Sequence, residues 1–239
     1  MPALSRHLTV YAMIRRGYQG SEDADSYQID REVEDVVALA DAVTEGPVNI
    51  LAHSYGAICA LEAAYRSPRV QHLMLYEPPI PAHAGAYFTA ALIKTVRRLL
   101  AESKGEAVLE AFLAKMAQVP VGELAAMRSN PQWTKAASKA HTIVRELEAA
   151  ATYDLRPERF HDWNIPTLLL LGGDSPQPYR ATAAMLNAIL PGSTVAVLEK
   201  QRHAAMINAP ALFVREVLAF IKAHPPGATA GTGLSEACA

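Results

Sequence analysis

The stretch Val48-Asn49-Ile50-Leu51-Ala52-His53-Ser54-Tyr55-Gly56 is an apolar run that ends in Ser-x-Gly and passes directly into residues of helical spacing. It predicts a strand, a sharp turn and a helix, with Ser54 at the apex. A hydroxyl in such a turn is pushed out beyond the strand end, small residues flank it where backbones crowd together, and the following helix aims its first amides at the same place. Ser54 is therefore the candidate nucleophile. The usual pattern is Gly-x-Ser-x-Gly, and Ala52 keeps the first position small without being glycine.

A serine hydroxyl attacks well only when a histidine takes its proton and an acid fixes that histidine's tautomer. Downstream, Pro166-Thr167-Leu168-Leu169-Leu170-Leu171 reads as a buried parallel strand and ends in Gly172-Gly173-Asp174-Ser175-Pro176. Asp174 is the expected acid at that strand's carboxyl end. A further run, Ser193 to Glu199, leads through Lys200-Gln201-Arg202 to His203, the expected base, before Pro210 opens an amphipathic helix. Glu77 is the reserve acid, because it closes the strand-like run Val70 to Glu77 just before Pro78-Pro79. His53 lies beside Ser54, but adjacent strand residues point to opposite faces, so it is not expected to serve as the base.

Ser, then Asp, then His, each after a separate strand, resembles the α/β-hydrolase superfamily, in particular single-domain bacterial hydrolases with an inserted helical cap. The resemblance spans about residues 5 to 222. It rests on the turn Ala52 to Gly56, the Leu-Leu-Gly-Gly-Asp loop, the late histidine and the early segment Tyr11-Ala12-Met13-Ile14-Arg15-Arg16-Gly17-Tyr18-Gln19-Gly20-Ser21. Relatives usually read Asp-Arg-Arg-Gly-x-Gly-x-Ser there, and Ile14 stands where aspartate is common. The resemblance implies an α/β fold with a mostly parallel sheet of about five strands, the first over His7 to Ile14. Its core would be residues 1–80 and 164–223, its helical cap 81–163, and its disordered tail 224–239. It also implies two or three strands and a His-Gly loop ahead of that first strand. The sequence holds no His-Gly dipeptide, so the expectation is an N-terminally shortened core whose oxyanion hole has one amide, that of Tyr55.

The function implied is a serine hydrolase acting on a small ester, lactone or amide through Ser54, His203 and Asp174 and an acyl-enzyme, with no metal and no organic cofactor. The competing expectation is a truncated, non-catalytic homologue that binds or scaffolds, pairing as a homodimer through its exposed first strand. A small-molecule substrate is the expected partner. With 239 residues, a formal net charge of −2 and 51% hydrophobic residues, the chain gives no reason to expect nucleic acid or a membrane as partner. Two cysteines, Cys59 and Cys238, are too few for a disulfide framework, and the start has no signal-peptide pattern; a cytoplasmic location is the expectation. Met206, Tyr87, Phe88, Phe112 and Trp133 are candidates for lining the pocket, with core packing as their competing fate.

Overall fold

A computed structural model describes residues 3–24, 26–81, 88–116 and 118–225. In chain order the regular elements are α1 (Ile29–Val43), β1 (Val48–His53), α2 (Tyr55–Arg66) and β2 (Val70–Tyr76). Among the described residues five helices follow without a strand: α3 (Ala90–Ala101), α4 (Gly105–Lys115), α5 (Val121–Arg128), α6 (Gln132–Ala137) and α7 (Ala140–Ala151). The chain then returns to β3 (Thr167–Gly172), α8 (Gln177–Ile189), β4 (Thr194–Leu198), α9 (Ala205–Asn208) and α10 (Pro210–Ala223).

The four strands form one parallel sheet in the order β1-β2-β3-β4. Parallel strands need covered faces, and here alternate side chains feed two cores. Leu73 and Leu75 of β2 and Leu169 and Leu171 of β3 face the larger core with α2 and α8, whereas Met74, Tyr76, Leu168 and Leu170 face the smaller core closed by Phe213, Val217 and Phe220 of α10. All of β3 is buried, which is why its sequence is a continuous leucine run rather than an alternating one. Glu62 of α2 is held by both terminal nitrogens of Arg159 (3.0 and 2.8 Å) and by the Tyr153 hydroxyl (2.7 Å), tying the end of the helical segment to the core.

Among the described residues the sheet has four strands where about five were expected, because the segment from His7 to Ile14 forms none. A strand needs a neighbour to receive its backbone groups, and among the described residues β1 is paired only with β2. Side chains fix the early segment instead. Val10 packs on the smaller core, the Ser21 hydroxyl donates to the Ile14 carbonyl (2.6 Å), and Arg16 forks onto Asp35 (both 2.8 Å). Tyr11 and Ile14 stay about half exposed. The open edge on that side of the sheet thus belongs to β1, and the first-strand edge expected to carry a homodimer is not a strand.

Parallel order puts the carboxyl ends of β1, β2, β3 and β4 side by side, and the loop after β4 folds back across the end of β3. The Gly173 amide donates to Leu198 O (2.8 Å) and the Asp174 amide to Gln201 O (2.9 Å). Gly172 permits this approach. A Cβ there would lie 2.6 Å from Gln201 O and 2.9 Å from Arg202 Cα, both backbone atoms, as well as 2.5 Å from Ser175 Oγ. Gly172→Ala should therefore destabilise the protein by about 1–3 kcal/mol, the usual range for overpacking. Denaturant unfolding of the two proteins measures this, and an unchanged midpoint would contradict it.

Candidate active site

Ser54 occupies the junction of β1 and α2 with φ 54° and ψ −130°, a conformation that costs a non-glycine residue about 1–3 kcal/mol. Neighbours hold it there: its amide donates to Tyr76 O (2.9 Å) at the end of β2, and its carbonyl accepts from the Ala57 amide (2.8 Å) in the first turn of α2. Tyr55 follows as the first residue of α2, where a backbone N–H has no acceptor within the helix. That amide is the candidate oxyanion donor. The crowding expected at Gly56 is not found: a Cβ there would meet nothing within 4 Å, and Gly56 opens onto the cavity.

The loop after β4 that carries His203 is fastened at three points. The Tyr76 hydroxyl donates to Arg202 O and accepts from the Ala205 amide (3.2 Å). His53 Nε2 lies 2.8 Å from His203 O; because a carbonyl only accepts, His53 carries its proton on Nε2. Burial, aided by the nearby His203 ring, pushes the His53 pKa down to about 3, so this ring stays neutral. Tyr179 stacks on the His203 ring at 4.8 Å. His53 is thus a support for the His203 loop.

The acid that meets His203 is Glu77. Its Oε2 lies 2.6 Å from His203 Nδ1, and its Oε1 accepts the Gly172 amide (2.7 Å). The carboxylate is buried, and its backbone turns with φ 46° just past β2, its amide donating to Leu170 O (3.2 Å). A carboxylate on Nδ1 places the imidazole proton there and leaves Nε2 as the acceptor, the state a general base needs. Asp174, expected in this place, is exposed, and among the described residues its carboxylate makes no hydrogen bond to His203. The reason lies in the Gly-Gly pair before it. Those glycines let the His203 loop cross, and it is the Asp174 amide that docks to Gln201, while the side chain turns to solvent.

Ser54, Tyr55, Gly56 and His203 open on a cavity of about 920 Å³. Phe88, Phe112, Met116, Ile143 and Leu147 give it an apolar wall, and Met206 also lines it. Trp133 does not; it is buried with Leu109 and Leu124 among α4, α5 and α6. Tyr87 lies outside the described residues. A polar wall, Arg15, Tyr18 and Glu146, is the part that sequence reading missed. The signal was present: on α7 Ile143, Glu146, Leu147 and Ala150 fall at i, i+3, i+4 and i+7, a charge set in an apolar stripe.

A model of the alpha/beta hydrolase family matches residues 1–216. Among solved structures, an alpha/beta hydrolase from Sphaerobacter thermophilus DSM 20745 is 29% identical with a TM-score of 0.74, covering 86% of this chain and 79% of its own. A hydrolase from Pseudomonas aeruginosa PA01 is 24% identical with a TM-score of 0.72, covering 92% and 82% respectively. The enol-lactonase from Burkholderia xenovorans LB400 is 21% identical with a TM-score of 0.64, covering 87% and 78%. The last two likenesses are of fold alone.

Two predictions separate the carboxylates and test the support. Glu77→Gln should slow modification of Ser54 by an alkyl fluorophosphonate roughly 10³–10⁴-fold, as loss of the orienting acid does in comparable triads, while Asp174→Asn leaves it nearly unchanged. The reverse pattern would contradict the assignment. His53 has its folded pKa depressed from 6.5 to about 3, so between those values the unfolded chain binds a proton that the native state refuses. Stability should fall as pH drops through that window, and more steeply in the parent than in His53→Gln, by denaturant midpoints at each pH.

Proposed function

The chain belongs to the alpha/beta hydrolase family, and from that premise we propose that it is a serine hydrolase in which Glu77 takes the place expected of Asp174. The observation that carries this reading is the 2.6 Å contact between Glu77 and His203 Nδ1, at a histidine that shares its cavity with Ser54. Ser54 Oγ attacks the acyl carbon of an ester, lactone or amide while His203 Nε2 takes its proton. The negative charge that forms on the carbonyl oxygen is met by the Tyr55 amide at the start of α2. His203 returns the proton to the leaving group, whose bond to the acyl carbon breaks. Water then attacks the acyl-enzyme, giving a proton to His203, which passes it to Ser54 Oγ as the bond from that oxygen to the acyl carbon breaks and the acid product leaves. Glu77 holds the imidazole and stabilises its cationic form through both halves of the cycle.

The helices from α3 to α7 supply most of the apolar wall, and in this reading residues 81–163 are the cap that shapes the acyl pocket and sheds water from it. A cavity of about 920 Å³ admits more than the small substrate expected from sequence. The fold likeness to an enol-lactonase keeps cyclic esters among the candidates.

Incubation with an alkyl fluorophosphonate should add one adduct to the intact mass of the parent chain and none to Ser54→Ala, and the variant should lose measurable turnover of aryl esters. A folded parent chain that takes no label, or a variant that turns over as the parent does, would overturn the proposal.

A further inference from the structure

Where Glu146 interrupts the apolar stripe of α7, the Arg15 guanidinium is held by two carboxylates. It donates to Glu32 Oε1 (3.2 Å) and to Glu146 Oε1 (2.9 Å) and stands 5.1 Å from the centre of the Tyr18 ring and 5.2 Å from that of Tyr55. Two carboxylates on one guanidinium leave no excess positive charge, so the cation does not make this wall a receptor for an anion. Its effect is on the carboxylates. Glu32 is completely buried, pinned by Arg15 and by the Tyr27 hydroxyl (3.2 Å), which itself bonds the Tyr55 hydroxyl (2.6 Å). Glu146 differs. Its Oε1 takes both Arg15 and the Tyr18 hydroxyl (2.9 Å), whereas its Oε2 accepts no hydrogen bond among the described residues, and the residue lines the cavity with 12% of its side chain exposed. Glu32 Oε2 is also without a hydrogen bond among the described residues, but it is buried away from the cavity, so Glu146 Oε2 is the held acceptor that a bound molecule can meet.

We propose that Glu146 is a specificity-determining residue that accepts a hydrogen bond from a donor on the substrate, a hydroxyl or an ammonium group remote from the scissile bond, while the apolar remainder lies against Phe112, Met116, Ile143 and Leu147. This deepens the serine-hydrolase reading and rests on it. The placement supports it in two ways. Glu146 is one link from the nucleophile's neighbour, through Arg15 to the Tyr55 ring, so a molecule that fills the cavity from Ser54 reaches it. A carboxylate with one oxygen fixed by two donors cannot turn away, and a substrate with no donor leaves the other oxygen desolvated and unpaired, which discriminates strongly against it.

The test uses p-nitrophenyl esters of straight-chain acids from four to ten carbons, each compared with its terminal-hydroxyl and terminal-amino counterpart. The expected result is that the parent protein prefers a donor-bearing ester to the plain ester of the same length by about tenfold or more in kcat/KM at one or more lengths, the scale of a hydrogen bond to a charged group. In Glu146→Met that ratio should fall to about one. Preference for the hydroxyl or the amino member identifies the donor. A parent that favours the plain ester at every length overturns the proposal without any variant, and so does a preference that survives in Glu146→Met. Failure of the parent to take a fluorophosphonate label would overturn the serine-hydrolase reading instead, so the two failures are told apart.

Discussion

The hydrogen bond between Glu77 and His203 is the interaction around which the active end of this molecule is arranged. It joins the end of β2 to the loop after β4, with the end of β3 between them, and the middle strand takes part through the Gly172 amide on the second carboxylate oxygen. A buried carboxylate that accepts hydrogen bonds on both oxygens is held in one orientation, and it in turn fixes that of the imidazole. The loop can reach Glu77 only because Gly172 and Gly173 carry no side chains where it crosses. A Tyr76 hydroxyl and a neutral His53 then fix its backbone on either side of the His203 ring.

On the other side of the cavity the same economy holds. Ser54 is kept in a strained conformation by hydrogen bonds to β2 and α2, and the residue after it anchors, through its ring, the Arg15 cluster that reaches α7. The helical segment therefore meets the core through ion pairs, Arg15 to Glu146 at the cavity and Arg145 to Asp23 (2.7 Å) outside its lining, and through apolar contacts. Arg15, Tyr18 and Glu146, the apolar side chains and Ser54 all line a single cavity, which is the ground for the proposed fit of a donor-bearing acyl compound along its length.

Much of this was legible in the sequence, because strands after which chemistry happens announce themselves as apolar runs with abrupt ends. The turn at Ser54, the strand before Gly172 and the strand before His203 all stand where the runs placed them. The acid was misplaced for a physical reason. Asp174 and Glu77 both follow strands, and chain order favours the former, but which carboxylate meets the imidazole depends on how closely the β4 loop packs on β3, a contact between segments that no local pattern records. The early run from His7 to Ile14 has strand composition, yet composition cannot supply a partner, and the segment is held by side chains instead. The Arg15 and Glu146 pair was hidden because its members are 131 residues apart.

Proton NMR of the folded protein tests the central claim most directly, since an imidazole N–H bonded to a buried carboxylate gives a resonance far downfield of the amide envelope. Such a signal is expected from His203 Nδ1, disappearing in Glu77→Gln and persisting in Asp174→Asn. A signal that survives loss of the Glu77 carboxylate, or one that vanishes with Asp174, would show that the histidine is oriented by a different group.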